Sequence, residues 1–305
     1  MSKQFLTAVV MLTLLVTIFC GCIETGKQSL ETGKLLTWVK ESGIRIKDGV
    51  SPATIIINGL YVMYYSAKGG IWAAKSTDGL VFEKIGIVVE NGEPGSMQEM
   101  VSDPAIIELK NGSYRMIYEG SQKLGDHEDR RLFSAFSKDG FNWTKEEGVR
   151  FQDYGDGKPG EIFTSVPDII RLDNGSLRMY YTRGTTSATA LSHDEGITWV
   201  KEKNLDLGRI VVDPDIVKLE DGSYKLFFTT FDSQFGMGEQ YVMSATSSDG
   251  VSFTLDSGKR LEPSPGRILV VDPDIVKLPD GSYRMYYGEM QDDGSFNIYS
   301  AISNP

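Results

Sequence analysis

The sequence predicts an all-β fold, a five-bladed β-propeller of four-stranded blades closed by its own N-terminal strand. Three observations predict it. A proline-led segment recurs five times, every copy holds a glycine-containing turn, and the truncated last copy finds its missing strand at the other end of the chain. The 305 residues include 33 glycines, 14 Tyr and 14 Phe, as many tight turns between aromatic strands require.

The chain opens with Lys3 and an apolar run of 16 residues, Phe5 to Cys20. That is short of the ~20 residues a spanning helix needs and fits the core of a signal peptide. Phe19-Cys20-Gly21-Cys22 resembles a lipoprotein cleavage box. A signal peptide over 1–21 and lipidation of Cys22 follow; an uncleaved N-terminal anchor is the other reading. Both put the body outside the cytoplasm, attached to a membrane. Glu24 to Lys34 is polar and lacks aromatics, so 22–34 reads as a flexible tether and 35–305 as the propeller domain. Cys20 and Cys22 are the only cysteines, which leaves the folded body without a disulfide.

The repeats open at Pro52, Pro104, Pro167, Pro214 and Pro273. Each is an apolar strand, a turn and an aromatic strand, as in DPDIVKLEDGSYKLFFTTF. The turns are Asn58-Gly59, Asn111-Gly112, Asn174-Gly175, Asp221-Gly222 and Asp280-Gly281, the pairs that favour two-residue type I′ hairpins. Third and fourth strands follow around AAKSTDGLVF, AFSKDGFNW, ALSHDEGITW and ATSSDGVSF. The fifth copy stops at its third strand, IYSAIS, while Leu36 to Ile46 matches the strand that follows Gly196. The N-terminal segment therefore completes the last blade and protects its edge. Trp38, Trp143 and Trp199 stand with Phe82 and Phe253 at equivalent outer positions, where packing between blades is expected.

Strand direction sorts the connections. The long segments 85–102, 121–131, 146–165, 202–212, 231–240, 257–271 and 289–295 share one face, and the tight turns occupy the other. Binding loops gather on one side of a rigid scaffold, so chemistry is sought on the loop-bearing face. With 31 Lys and Arg against 42 acidic residues, the net charge of −11 leaves no basic footprint for nucleic acid. His127 and His193 are the only histidines, too few for a histidine-rich zinc site.

The five Pro-led hairpins over Leu36 to Pro305 resemble the glycoside hydrolase superfamily of arabinanases, levansucrases and invertases, most closely family 43. The resemblance implies a carbohydrate substrate and carboxylates at the blade openings. Ser51, Asp103, Val166, Asp213 and Asp272 precede the prolines, and Ala53, Ala105, Asp168, Asp215 and Asp274 follow them. Asp103, Asp213 and Asp272 are the expected catalytic carboxylates, being nearest the mouth, and Asp168 is an expected substrate ligand. Family 43 implies a blade-one Asp base and an inner-strand Glu acid. Here Ser51 holds the first position and no inner strand opens with Glu. Glu161, five residues before Val166, is the expected substitute acid among Glu99, Glu119, Glu161 and Glu289, and Asp48 the substitute base.

A second resemblance is to the Asp boxes of sialidases: Ser192, Asp194, Gly196 and Trp199 match in full, and three copies are one residue shorter. Asp boxes are turn devices and imply structure alone. Arg183, Arg209 and Arg267, with Arg130 and Arg131, lie toward the loop face and would bind an anionic sugar bidentately, as a sialidase does. Pairing of Arg209 with Asp213 and of Arg267 with Asp272 is the competing expectation. Cofactors are not expected, with one reservation: the hard oxygen ligands of the channel suit a structural Ca2+, though no contiguous loop motif supports it. Three functions follow in order: a membrane-anchored glycosidase, a non-catalytic carbohydrate- or protein-binding propeller, and a sialidase-like hydrolase.

Overall fold

A computed structural model describes residues 37–156, 160–232 and 238–303. Expectations for the signal peptide, Cys22 and the tether fall outside these residues. The first strand, β1 (Val39–Lys40), stands apart in sequence from four consecutive groups of four. Blade one holds β2 (Val50–Ile57), β3 (Leu60–Ala67), β4 (Gly70–Ser76) and β5 (Glu83–Glu90); blade two holds β6 (Met100–Glu108), β7 (Tyr114–Leu124), β8 (His127–Ser137) and β9 (Trp143–Lys145). Blade three holds β10 (Ser165–Arg171), β11 (Leu177–Thr182), β12 (Ser187–Ser192) and β13 (Val200–Leu205). Blade four holds β14 (Val212–Lys218), β15 (Tyr224–Phe231), β16 (Gln240–Ser247) and β17 (Thr254–Leu255). Last come β18 (Val270–Lys277), β19 (Tyr283–Met290) and β20 (Phe296–Ser303), whose sheet has the order β1-β20-β19-β18.

The expected closure is present, but the closing strand is shorter than Leu36 to Ile46. Only Val39 and Lys40 pair with Ile302 and Ala301, and a single bridge, Ile46 to Ile298, follows. Side chains reinforce the seam. Arg284 makes a two-pronged bond to Glu41 at 2.8 and 3.1 Å, and Ser300 donates to the same carboxylate at 2.6 Å. The first strands β2, β6, β10, β14 and β18 touch one another in a ring around the channel.

Two details depart from the sequence expectation. Only Asn58-Gly59 has both residues left-handed, with φ of 50° and 80°. In the other four hairpins the glycine alone is left-handed, and its N–H returns to Leu109, Leu172, Leu219 or Leu278 three residues earlier. These are three-residue loops, a type I turn followed by a glycine bulge, in which Asn111, Asn174, Asp221 and Asp280 accept the N–H of the serine two residues on. The segment 121–131 is not a loop either: β7 and β8 stay paired to Leu124–His127, so blade two carries a long protruding hairpin.

Packing between blades follows one column. Tyr64, Ile117, Tyr180, Phe227 and Tyr286 are fully buried at equivalent positions. Trp143, Phe253, Phe82 and Trp38 of the following blades meet Tyr64, Tyr180, Tyr286 and Phe227 edge to face, and Trp199 joins the cluster of Ile117. The tyrosine hydroxyls donate into the next blade's turn, Tyr180 to the Gly250 carbonyl at 2.7 Å and Tyr286 to Gly79 at 2.8 Å. Within those turns Asp78, Asp139, Asp194 and Asp249 accept local backbone N–H groups. Those bonds hold the Asp78 carboxyl down at about 2. The outer aromatics are therefore core, as expected.

Candidate active site at the channel mouth

The site begins with backbone geometry. Ser51, Asp103, Val166, Asp213 and Asp272 all have left-handed φ, between 42° and 52°, and each sits in a register shift between the first two strands of its blade. Such a conformation costs ~1–3 kcal/mol in a residue other than glycine. It recurs in all five blades whatever the side chain, Val166 included, so it belongs to the architecture. In three of the blades the bulge gives this N–H a partner one blade back: Asp103 donates to Ser66 Oγ at 2.8 Å, Asp213 to Thr182 Oγ1 at 2.9 Å and Asp272 to Thr229 Oγ1 at 3.3 Å.

Three predicted carboxylates come together here. Ser51 Oγ contacts Asp103 Oδ1 at 2.6 Å and Asp272 Oδ2 at 2.8 Å, and the Asp272 and Asp213 carboxyls bond to each other. Burial, with the nearby Asp103 charge, pushes Asp213 up to about 6. Burial and then the charges of Asp213 and Asp103 hold Asp272 well above the ordinary carboxylate range. Both shifts favour the protonated form of these two carboxyls.

Sequence reasoning underrated the fourth member. The position opposite the residue before the bulge is Ser66, Glu119, Thr182, Thr229 and Gly288 from blade one to blade five. Glu119 thus replaces a small residue in one blade of the ring. It is 3% exposed, and burial followed by the Asp103 charge pushes it up to about 8 against the opposing pull of Arg130 and Ser165. Glu119 Oε2 has no hydrogen-bond partner; Arg130 Nη1 is 3.6 Å away. The aligned repeats already reach this column, where Glu119 stands against Ser66, Thr182, Thr229 and Gly288.

Below the mouth, Asp168, Asp215 and Asp274 staple neighbouring blades. Asp168 Oδ2 accepts the Ile216 N–H at 2.8 Å, Asp215 Oδ2 accepts Ile275 at 3.3 Å, and Asp274 faces Thr54, with Asp274 Oδ2 and Thr54 Oγ1 left unbonded. Asp168 Oδ1 also takes the Ile169 N–H at 2.8 Å, so each of its oxygens carries a backbone N–H, which favours a blade-stapling role over the expected substrate contact. Burial raises all three, Asp168 to about 6 and Asp274 to about 8. Among the described residues no three His, Cys, Asp or Glu side chains converge to hold a metal ion.

The arginine cluster does not form. Arg183 binds Asp153 at 3.1 Å and the Tyr154 carbonyl at 2.7 Å. Arg209 binds Thr230, Asp232 and Tyr241, and Arg267 pairs with Asp292. Neither pairs with Asp213 or Asp272, because loop acids at the ends of β15 and β19 lie nearer. Glu289 is likewise taken, by Lys40 and Ser264, and Asp48 is exposed. Glu161 lines a cleft of about 550 Å3 beside the β7–β8 hairpin, together with Glu99, Glu128, Arg130 and Phe163. Asp103, Asp213 and Asp272 do not line that cleft, so the structure does not group Glu161 with them.

No family model and no curated protein matches the chain. Solved structures do. A thermostable family-43 glycoside hydrolase aligns over 87% of this chain and 91% of its own, with TM-score 0.68 and 15% identity. A GH43_1 enzyme from Xanthomonas citri aligns over 90% and 92%, with TM-score 0.66 and 15% identity. A GH43 β-1,3-galactosidase with galactodeoxynojirimycin aligns over 87% and 94%, with TM-score 0.66 and 13% identity. The likeness is one of architecture, and by it the chain has the five-bladed β-propeller fold of the family-43 glycoside hydrolases.

Proposed function

We propose that the protein is a glycoside hydrolase acting at the channel mouth, with Glu119 as general acid and Asp103 as its partner carboxylate. The observation that carries this is Glu119: a carboxyl in a column of small residues, buried beside Asp103, with one oxygen unbonded. A group titrating at about 8 is mostly protonated at neutral pH, as a proton donor to a leaving oxygen must be. Asp103 accepts hydroxyl bonds at both oxygens, from Ser51 and Ser102, which orients it for the base or nucleophile role. Arg130, partly exposed, stands between Glu119 and the cleft.

The test is leaving-group dependence. Glu119→Gln should lose activity on natural glycans while keeping a share on aryl glycosides whose leaving group needs no proton, and Asp103→Asn should lose both. Equal loss on both substrate types would remove Glu119 from the acid role. One observation favours a second reading, a non-catalytic carbohydrate-binding propeller: Ser51 replaces the blade-one carboxylate of family 43 and ties up Asp103 and Asp272. Binding without turnover on every glycan tried would select it.

The proposal also locates the protein outside the cytoplasm on a lipid-modified Cys22, on the strength of Lys3, Phe5 to Cys20 and Gly21. Cys22→Ala should release it from the membrane fraction. Retention would point to an uncleaved anchor.

A further inference from the structure

The cleft beside the β7–β8 hairpin has a charge that the propeller fold does not explain. Its volume of about 550 Å3 falls among small-ligand clefts. Two of its carboxylates, Glu99 and Glu161, have no ion pair among the described residues. Arg130, the cation on its inner wall, is already spent: it lies 4.9 Å from the centre of the Phe163 ring, 3.3 Å from Glu128 and 3.6 Å from Glu119. Lys123 and His127, the latter 3.8 Å from the exposed Asp126, are the other basic side chains beside Glu99 and Glu161. Behind that wall two buried groups are unsatisfied, the acceptor Glu119 Oε2 and the donor Arg130 Nε. Buried polar atoms without partners are costly, and a ligand hydroxyl, which both donates and accepts, answers both.

We propose that this cleft seats the sugar next to the reacting bond, and that its carboxylates select amine-bearing sugars over acidic ones. The inference rests on the carbohydrate reading above and adds the substrate class to it. Glu99 and Glu161 face the charged amine, and a ring hydroxyl bridges Glu119 and Arg130. An acidic sugar meets the same carboxylates as repulsion, with Arg183, Arg209 and Arg267 all held elsewhere.

Calorimetry on the full chain with three probes tests this: a β-1,4-linked glucosamine tetramer, its N-acetylated counterpart and a tetragalacturonate. The amine form should bind roughly tenfold tighter than the N-acetylated form. Its affinity should fall between about 0.02 and 0.2 M salt, and the galacturonate should not bind. Glu99→Gln/Glu161→Gln should erase the preference with an unchanged melt, and Glu161→Gln alone should weaken it if the double variant does not fold. No binding of any probe, tighter binding of the acidic one, or a preference that survives the substitutions overturns the inference. If the amine form binds and is never cleaved, the hydrolase reading falls and this one stands. Cleavage of a glycan that shows no amine preference does the reverse.

Discussion

Ser51 Oγ sits 2.6 Å from Asp103 Oδ1 and touches Asp272 at 2.8 Å on its other side. A hydroxyl owns one proton, and here it links Asp272 and Asp103 in one hydrogen-bonded chain. Burial and the charges of Asp213 and Asp103 favour the protonated form of Asp272. Ser51→Ala breaks this chain and leaves two half-buried carboxyls without their bridge. The variant should be less stable by about 1–3 kcal/mol, read as a lowered Tm. A melt equal to wild type would remove Ser51 from the network.

Stability should fall as pH rises from about 4 to about 8. Glu119 and Asp274 titrate at about 8 and Asp168 and Asp213 at about 6 in the folded chain, with Asp215 and Asp272 also raised. The unfolded chain releases those protons near 4, so over this window the folded state binds more protons and loses stability as they leave. The lowered acids, Asp78 and Glu195 among them, act below that window, where stability falls with acid. Melting curves across pH should therefore peak on the acidic side. A Tm that climbs steadily from pH 4 to 8 contradicts the raised carboxyls.

Asp168→Ala should act on stability and spare ligand binding. It removes the acceptor of the Ile216 and Ile169 N–H groups, at a cost of about 1–3 kcal/mol. Calorimetry with a bound glycan should give wild-type affinity. A lost affinity with an unchanged melt would restore Asp168 to the substrate.

Removing residues 35–46 deletes β1, Glu41 and Arg45 from the last blade and should abolish a cooperative melt. Arg284→Ala is the milder form. It leaves Glu41 without its two-pronged partner, and a loss of about 3 kcal/mol is expected. A truncated chain that melts as sharply as wild type would mean the ring needs no closing strand.

The blades were readable because their signals are local and repeated: Pro52 to Pro273 mark where inner strands begin, and the following glycines mark where they turn. The mouth aspartates were readable for the same reason. Glu161 misled because nearness to Val166 in sequence is not nearness across a bulge. Arg209 and Arg267 misled because their partners, Asp232 and Asp292, lie in connections that differ from blade to blade. The role of Asp168 depends on register between blades, which no single repeat carries.

Because β1 pairs with β20 inside one sheet, the propeller has no terminal repeat. A linear array of repeats frays from its ends, where an outer unit has one neighbour instead of two. In this ring each blade is held on both sides, and the first opening must part the Arg284–Glu41 clasp or break a blade in place. Slowly exchanging amides should then be spread evenly over the inner strands of all five blades, with no gradient along the chain.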